Sequence, residues 1–174
     1  MRLYRKLLAS EREVLRDHLL RLSPEDRGLR FQAAQSDAAI AAYCAAIDWR
    51  RGYVVGMFEA SILRGVGELR LSPPPRPARA ETAISVEAPW QNQGVGHELL
   101  HRLLVLARNR RIRSVHMICL IDNRRMQHIA AEVAKLRIEE GAAVAEITVP
   151  EPSLLSFYEE WMADGLALVD TWLE

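Results

Sequence analysis

The six residues Gln91-Asn92-Gln93-Gly94-Val95-Gly96 stand where a strand-like run gives way to an amphipathic helix. That junction suits an anion. The first N–H groups of a helix have no partner within it, the helix dipole favours negative charge there, and glycine omits the Cβ that would hold a pyrophosphate away. The run lacks the GxGxxG spacing of a dinucleotide site and the Gly-Lys-Ser/Thr ending of a Walker A loop, which disfavours both chemistries. A tight turn without a ligand is the simpler alternative. Directly afterwards, His97-Glu98-Leu99-Leu100-His101 matches the bare H-E-x-x-H string, which would make His97 and His101 zinc ligands and Glu98 a base. No third ligand accompanies it, and no metal is expected. Arg108, Arg110, Arg111 and Arg113 crowd the far end of the same helix, where cations suit the dipole. Without interleaved aromatics for base stacking they read as a solvated helix end, not a nucleic-acid surface.

Composition supports the same view. The chain has 174 residues, 49% of them apolar, which is enough for one domain over residues 1–174 with a sizeable core. Lys plus Arg equals Asp plus Glu at 23 each, so no global field draws the chain to nucleic acid or to a membrane. Cys44 and Cys119 lie in apolar surroundings, as thiols do in a reducing compartment. Charges interrupt the first residues before a signal core forms, and no window is apolar enough to span a bilayer. A cytoplasmic protein is the expectation.

The elements that must position the glycine turn can be read in order. An edge strand is expected over Leu3–Leu8, then a helix over Ser10–Leu22 with a Ser10/Glu13 capping box and Val14, Leu15, His18, Leu19 and Leu22 on one stripe. Ser23-Pro24-Glu25-Asp26 opens a short helix, and another covers Asp37–Asp48. A hairpin follows, turning at Glu59–Ser61, and the prolines of Ser72–Pro77 form a semi-rigid loop. Strand Glu81–Val86, helix Val95–Arg111 and strand Ser114–Ile121 make a crossover with parallel pairing. A helix from Arg124 to about Glu140 is expected to end at Gly141, with a strand over Val144–Val149. The run from Ser153 is amphipathic and helical, interrupted at Asp164-Gly165, and either covers its own domain or joins a homodimer.

On these residues the chain resembles the GNAT superfamily of N-acetyltransferases. Gln91, Gly94 and Gly96 match the signature of Gln or Arg, two variable residues, Gly, one variable residue, then Gly or Ala. The likeness continues through the flanking strands and helix to Asn123, and more weakly back to the first helices. The resemblance implies a three-layer α/β fold with a mixed, twisted central sheet and an additional C-terminal helix over 153–174. Strands Glu81–Val86 and Ser114–Ile121 would splay to admit the pantetheine arm of acetyl-CoA. The backbone of Ile84, Ser85 and Val86 would pair with that arm, and Asn123 would bond to it. Gln91 and Asn92 would belong to the same cofactor-binding loop. The N–H groups of Gln93, Gly94, Val95, Gly96 and His97 would receive the pyrophosphate.

Acetyl transfer to an amine needs a base for the ammonium, donors for the oxyanion and a proton for the departing thiolate. Glu81 leads as base because AETAISV resembles the strand of family members that use a glutamate there. Glu87 shares its strand face by parity, and Glu68 lies on the neighbouring strand. A solvated or ion-paired role is the simpler alternative for each. Strand backbone near Val86 would hold the oxyanion. Many members place a tyrosine acid seven residues beyond the asparagine, where this chain has Ala130; His128, His116 and Tyr158 are the other groups weighed. The expectation is an acetyl-CoA-dependent N-acetyltransferase acting on a primary amine of a small molecule, peptide or protein. The alternative is a CoA-binding regulatory or interaction module with little or no activity.

Overall fold

The computed structural model describes residues 2–73, 79–139 and 141–172. In chain order they form β1 (Arg2–Lys6), α1 (Arg12–Arg21), α2 (Pro24–Phe31), α3 (Asp37–Ala46), β2 (Gly52–Glu59), β3 (Ile62–Leu71), β4 (Arg79–Val86), α4 (Val95–Asn109), β5 (Ser114–Leu120), α5 (Arg124–Ala131), β6 (Leu136–Glu139), β7 (Ala142–Thr148) and α6 (Leu154–Trp172). The strands join in one mixed, twisted sheet of order β1-β2-β3-β4-β5-β7-β6. Every neighbouring pair is antiparallel except β4 and β5, the two ends of the crossover.

Strand alternation divides the core in two. Leu69, Ala80, Ile84, Val115 and Met117 meet the Leu99, Leu103 and Leu106 stripe of α4 on one face. On the other, Val54, Phe58 and Val66 meet Leu15, Leu19 and Ile40 of α1 and α3. Glycines set the depth of this packing. A Cβ on Gly67 would lie 2.9 Å from Leu103 Cδ1, and one on Gly56 would meet Leu63, Leu7 and Phe58 at 2.5, 2.7 and 2.8 Å. Gly56→Ala should therefore cost about 1–3 kcal/mol through overpacking, measured by denaturant unfolding. An unchanged midpoint would show that the site has slack.

Several expectations need correction. The Ser10/Glu13 box does not form: a 3₁₀ turn over Ala9–Glu11 precedes α1, and Glu11 Oε2 accepts the Leu8 N–H at 2.9 Å. Helix α5 stops at Ala131 instead of near Glu140, because Leu136 and Ile138 alternate with polar residues and pair against β7. Gly141, at φ +82°, serves a hairpin and not a helix end. Helix α6 runs unbroken through Asp164-Gly165. Most of the proline loop, residues 74–78, lies outside the described residues.

Helix α6 packs on α4 and β1 through polar groups. Glu160 accepts from Lys6 Nζ (2.5 Å), Arg110 (2.8 and 3.0 Å) and Asn109 (2.7 Å), while buried Ser156 bonds to Asn109 at 2.6 Å. Leu154, Leu155, Phe157, Tyr158 and Trp161 face outward. The helix thus covers part of its own domain while these five apolar side chains stay exposed. Cys44 and Cys119 are free and buried. Among the described residues no helix is long and apolar enough to cross a membrane.

Candidate active site

Strands β4 and β5 pair only from Arg79↔Ser114 to Thr82↔Met117. Beyond that point β5 continues on β7 and β4 continues on β3, so the two part. The Glu87 N–H donates to Arg64 O on the β3 side at 2.9 Å. Strand alternation then turns the N–H groups of Ile84 and Val86 toward the parted edge. A cavity of about 550 Å³ opens there, with Ile84, Ser85 and Val86 on one wall and Asn123, Arg124 and Arg125 on the other. That volume is in the range of small-molecule and cofactor sites.

The turn at the mouth is tied on several sides. Gln91 Nε2 donates to Val86 O (2.9 Å) and to Asp26 Oδ1 (3.1 Å), and Arg125 donates to Gln91 Oε1 (2.5 Å). Gln91 thereby links the end of β4 to α2 and α5. Asn92 and Gly94 adopt positive φ, at 57° and 78°. A Cβ on Gly96 would lie 2.7 Å from Ile129 Cδ1, so this glycine admits the close approach of α5. The first intrahelical bond of α4 runs from the Glu98 N–H to Gly94 O, at 3.0 Å, which leaves the N–H groups of Val95, Gly96 and His97 at the helix start. The Val95 side chain is buried in the core, and Gln93 is exposed and donates to Pro89 O. Asn123 caps α5 by accepting the Met126 N–H at 3.1 Å, so its NH₂ group is the end available to a ligand.

The two histidines of HELLH have different partners. His97 meets Glu132 at 3.1 Å, and His101 meets Glu159 of α6 at 3.2 Å. The group among the described residues that brings metal-binding atoms together is His97, His128 and Glu132, whose ligand atoms lie within 4.8 Å of one another.

Glu68, Glu81 and Glu87 share one sheet face, as parity requires, in three different settings. Glu87 is buried and accepts from His18 Nδ1 (3.2 Å), Arg21 Nε (2.8 Å) and Arg64 (2.9 Å). Burial pushes its carboxyl pKa up, but the bonds from His18, Arg64 and Arg21 outweigh burial and hold it at about 2. Burial also lowers the pKa of His18, more than its bond to Glu87 raises it, so the imidazole is neutral. A neutral ring supplies a hydrogen bond to Glu87, and the two arginines supply the charge. Glu68, also buried, accepts from Arg30 (2.5 Å), Tyr43 (2.7 Å) and Arg70 (3.1 Å). Glu81 is exposed, opposite Arg70 on β3 and His116 on β5. It lines a second cavity, of about 150 Å³, with Arg30, Gln32, Glu68, Arg70 and His116. Arg30 lines both cavities.

Sequence reasoning did not pick out Arg21, Arg30, Tyr43 or Arg64. It placed His18 on a buried stripe, and a histidine in such a stripe is the signal that was present. Of the acid candidates, His128 lines the large cavity, His116 the small one, and Tyr158 lies on α6 beside Trp161, ring centroids 6.1 Å apart. Tyr158, on α6 against α4 and β1, lines neither cavity.

Comparison with known proteins completes the description. The model of the Acetyltransferase (GNAT) family matches residues 4–134. The GNAT domain of S. lividans PAT superposes with a TM-score of 0.72 at 19% identity, covering 83% of this chain and 89% of that one. The PaiA N-acetyltransferase from Thermoplasma acidophilum, solved with coenzyme A, gives 0.63 at 14%, over 85% of this chain and 99% of that one. A cAMP-binding acyltransferase from Mycobacterium smegmatis gives 0.58 at 20%, over 92% of this chain and 49% of that one. No curated protein matches. At these identities the solved structures speak to the fold, whereas the family match spans well over half of the sequence. The chain belongs to the GNAT family of acetyltransferases.

Proposed function

We propose that the protein transfers an acetyl group from acetyl-CoA to a primary amine of a small molecule, peptide or protein, in the cytoplasm. The observation that carries this reading is the parted edge of β4 beside the start of α4. In it the pantetheine amides pair with the backbone over Ile84–Val86. The pyrophosphate rests on the N–H groups from Gln93 to His97, facing Arg124 and Arg125, and the Asn123 NH₂ reaches the cofactor arm. A helix start favours such a charge by about 0.3–1 kcal/mol when exposed, and the facing arginines add to it. Glu81 takes the amine proton. Glu87 is held at about 2, far below the range of a useful base near neutrality, and Glu68 is bound by two guanidinium groups. Arg30 lines both cavities, so an amine beside Glu81 is next to the cofactor cavity.

A second reading is favoured by one observation: among the described residues no tyrosine lines either cavity. It makes the chain a CoA-binding regulatory or interaction module with little turnover. Calorimetry with acetyl-CoA, followed by thiol release across a panel of polyamines, peptides with free N-termini and lysine peptides, separates the two. Binding with amine-dependent release supports transfer, binding without it supports the module, and no binding removes both. Gly94→Asp tests the phosphate seat. No atom lies within 4 Å of a Cβ built there, so the change acts through charge and through its positive φ. Acetyl-CoA affinity should fall about tenfold or more, the equivalent of about 1.4 kcal/mol. Unchanged affinity would place the pyrophosphate elsewhere.

A further inference from the structure

Ser85, His18 and Glu87 form one buried hydrogen-bonded line. Ser85 Oγ is 3.0 Å from His18 Nε2, and His18 Nδ1 is 3.2 Å from Glu87 Oε1. The residues are 7%, 0% and 6% exposed. Their protonation follows from their partners. Glu87 is also bound by Arg21 and Arg64, so it is ionised and can only accept. The imidazole proton therefore sits on Nδ1, and the Nε2 lone pair faces the serine hydroxyl, which becomes the donor. Ser85 also lines the large cavity, and the N–H of the next residue, Val86, turns to the parted edge of β4. These are the parts of an activated serine: a nucleophile, a neutral base within reach, a carboxylate that orients the base, and a backbone donor for an oxyanion.

We propose that Ser85 is a nucleophile that accepts the acyl group of a bound acyl-CoA and passes it to water. The Ser85 oxygen bonds to the thioester carbonyl carbon while His18 Nε2 takes the hydroxyl proton. The C–S bond breaks, and the proton on His18 goes to sulfur, releasing the CoA thiol. Water then attacks the O-acyl-serine with His18 taking its proton, and that proton returns to Ser85 as the carboxylic acid leaves. The balance closes with no other reactant. The donor rests on the CoA-cleft reading; the serine chemistry does not depend on Glu81. The step also supplies a proton for the departing thiolate in a cleft lined by no tyrosine among the described residues.

The test uses the full chain without any amine. One arm follows thiol release from acetyl-CoA and, after acid quenching, the mass of one acetyl group on the peptide that contains Ser85. A second uses p-nitrophenyl acetate, which reports an activated serine without needing the CoA cleft, and a third measures acetyl-CoA binding by calorimetry. The expected result is a p-nitrophenolate burst, amine-independent thiol release and an acetylated Ser85 peptide, with both turnovers about a hundredfold lower in Ser85→Ala. Circular dichroism melts check folding. If the alanine variant is unfolded, Ser85→Cys carries the test, because its acyl product is a thioester cleaved by neutral hydroxylamine whereas the serine ester resists it. Binding of acetyl-CoA with ester and thioester turnover indifferent to residue 85, and no acetyl on that peptide, overturns the inference and leaves the cleft reading standing. A Ser85-dependent ester burst without acetyl-CoA binding overturns the cleft reading and, with it, acyl-CoA as the donor, and leaves only the activated serine.

Discussion

Glu81→Gln is expected to lower kcat for amine acetylation by about a hundredfold or more, with the acetyl-CoA dissociation constant changed by less than about twofold. The split follows from position. Glu81 sits in the smaller cavity at the paired end of β4, whereas the proposed cofactor contacts begin at Ile84, past the point where β5 leaves. An amide of the same shape keeps the strand and the cavity but cannot take a proton, so the loss falls on turnover. Glu81 is exposed, so the variant should melt with the wild type. Equal kcat in the two proteins, or a loss confined to cofactor affinity, would remove Glu81 as the base.

The largest effect on stability is expected from Glu87→Gln. Removing one partner of a fully buried ion pair costs about 3–5 kcal/mol. Here the Arg21 and Arg64 side chains retain 37% and 21% exposure, and water can compensate them in part, which brings the expectation to about 2–3 kcal/mol at neutral pH. Denaturant unfolding measures it. The pH dependence has a definite sign. The folded pKa of about 2 lies below the ordinary value of 4.5, so the stabilisation is fully present above about pH 4.5 and is lost as pH falls toward 2. Its size is on the order of 3 kcal/mol. Glu160, also held at about 2 despite burial, adds to acid sensitivity over the same window. Glu87→Gln should therefore lose less stability than the wild type between pH 5 and pH 2. Parallel acid-unfolding curves would mean that Glu87 is not a source of that sensitivity.

What was legible in the sequence was local. The glycine turn, the crossover around it and the turn between β2 and β3 are each written within a few consecutive residues by period, glycine and chain direction. The shared face of Glu68, Glu81 and Glu87 followed from parity and register. Their differing electrostatics did not, because each partner comes from afar: His18 and Arg21 reach Glu87 across 69 and 66 residues, and Arg30 reaches Glu68 across 38. No spacing rule spans such separations. The sequence pattern overextends helix α5 because Met126, Ile129, Ala130 and Val133 keep helical phase, while the period-two signal of Leu136 and Ile138 is only four residues long. The outward apolar residues of α6 were invisible for a related reason: amphipathic phase shows that a helix has two faces, but Lys6, Asn109 and Arg110 decide which one docks.

That docking contact also has a consequence for biosynthesis. Lys6 and Glu160 are separated by 154 residues, yet they meet at 2.5 Å. During vectorial synthesis β1 can pair with β2 once residue 59 has emerged, but the Glu160 clasp on Lys6 and Arg110 cannot close until the ribosome has delivered α6. For that interval the ammonium of Lys6 and the guanidinium of Arg110 stand beside one another without their shared counterion. Until residue 160 is delivered, the α4–β1 flank therefore lacks the clasp that holds it in the finished chain.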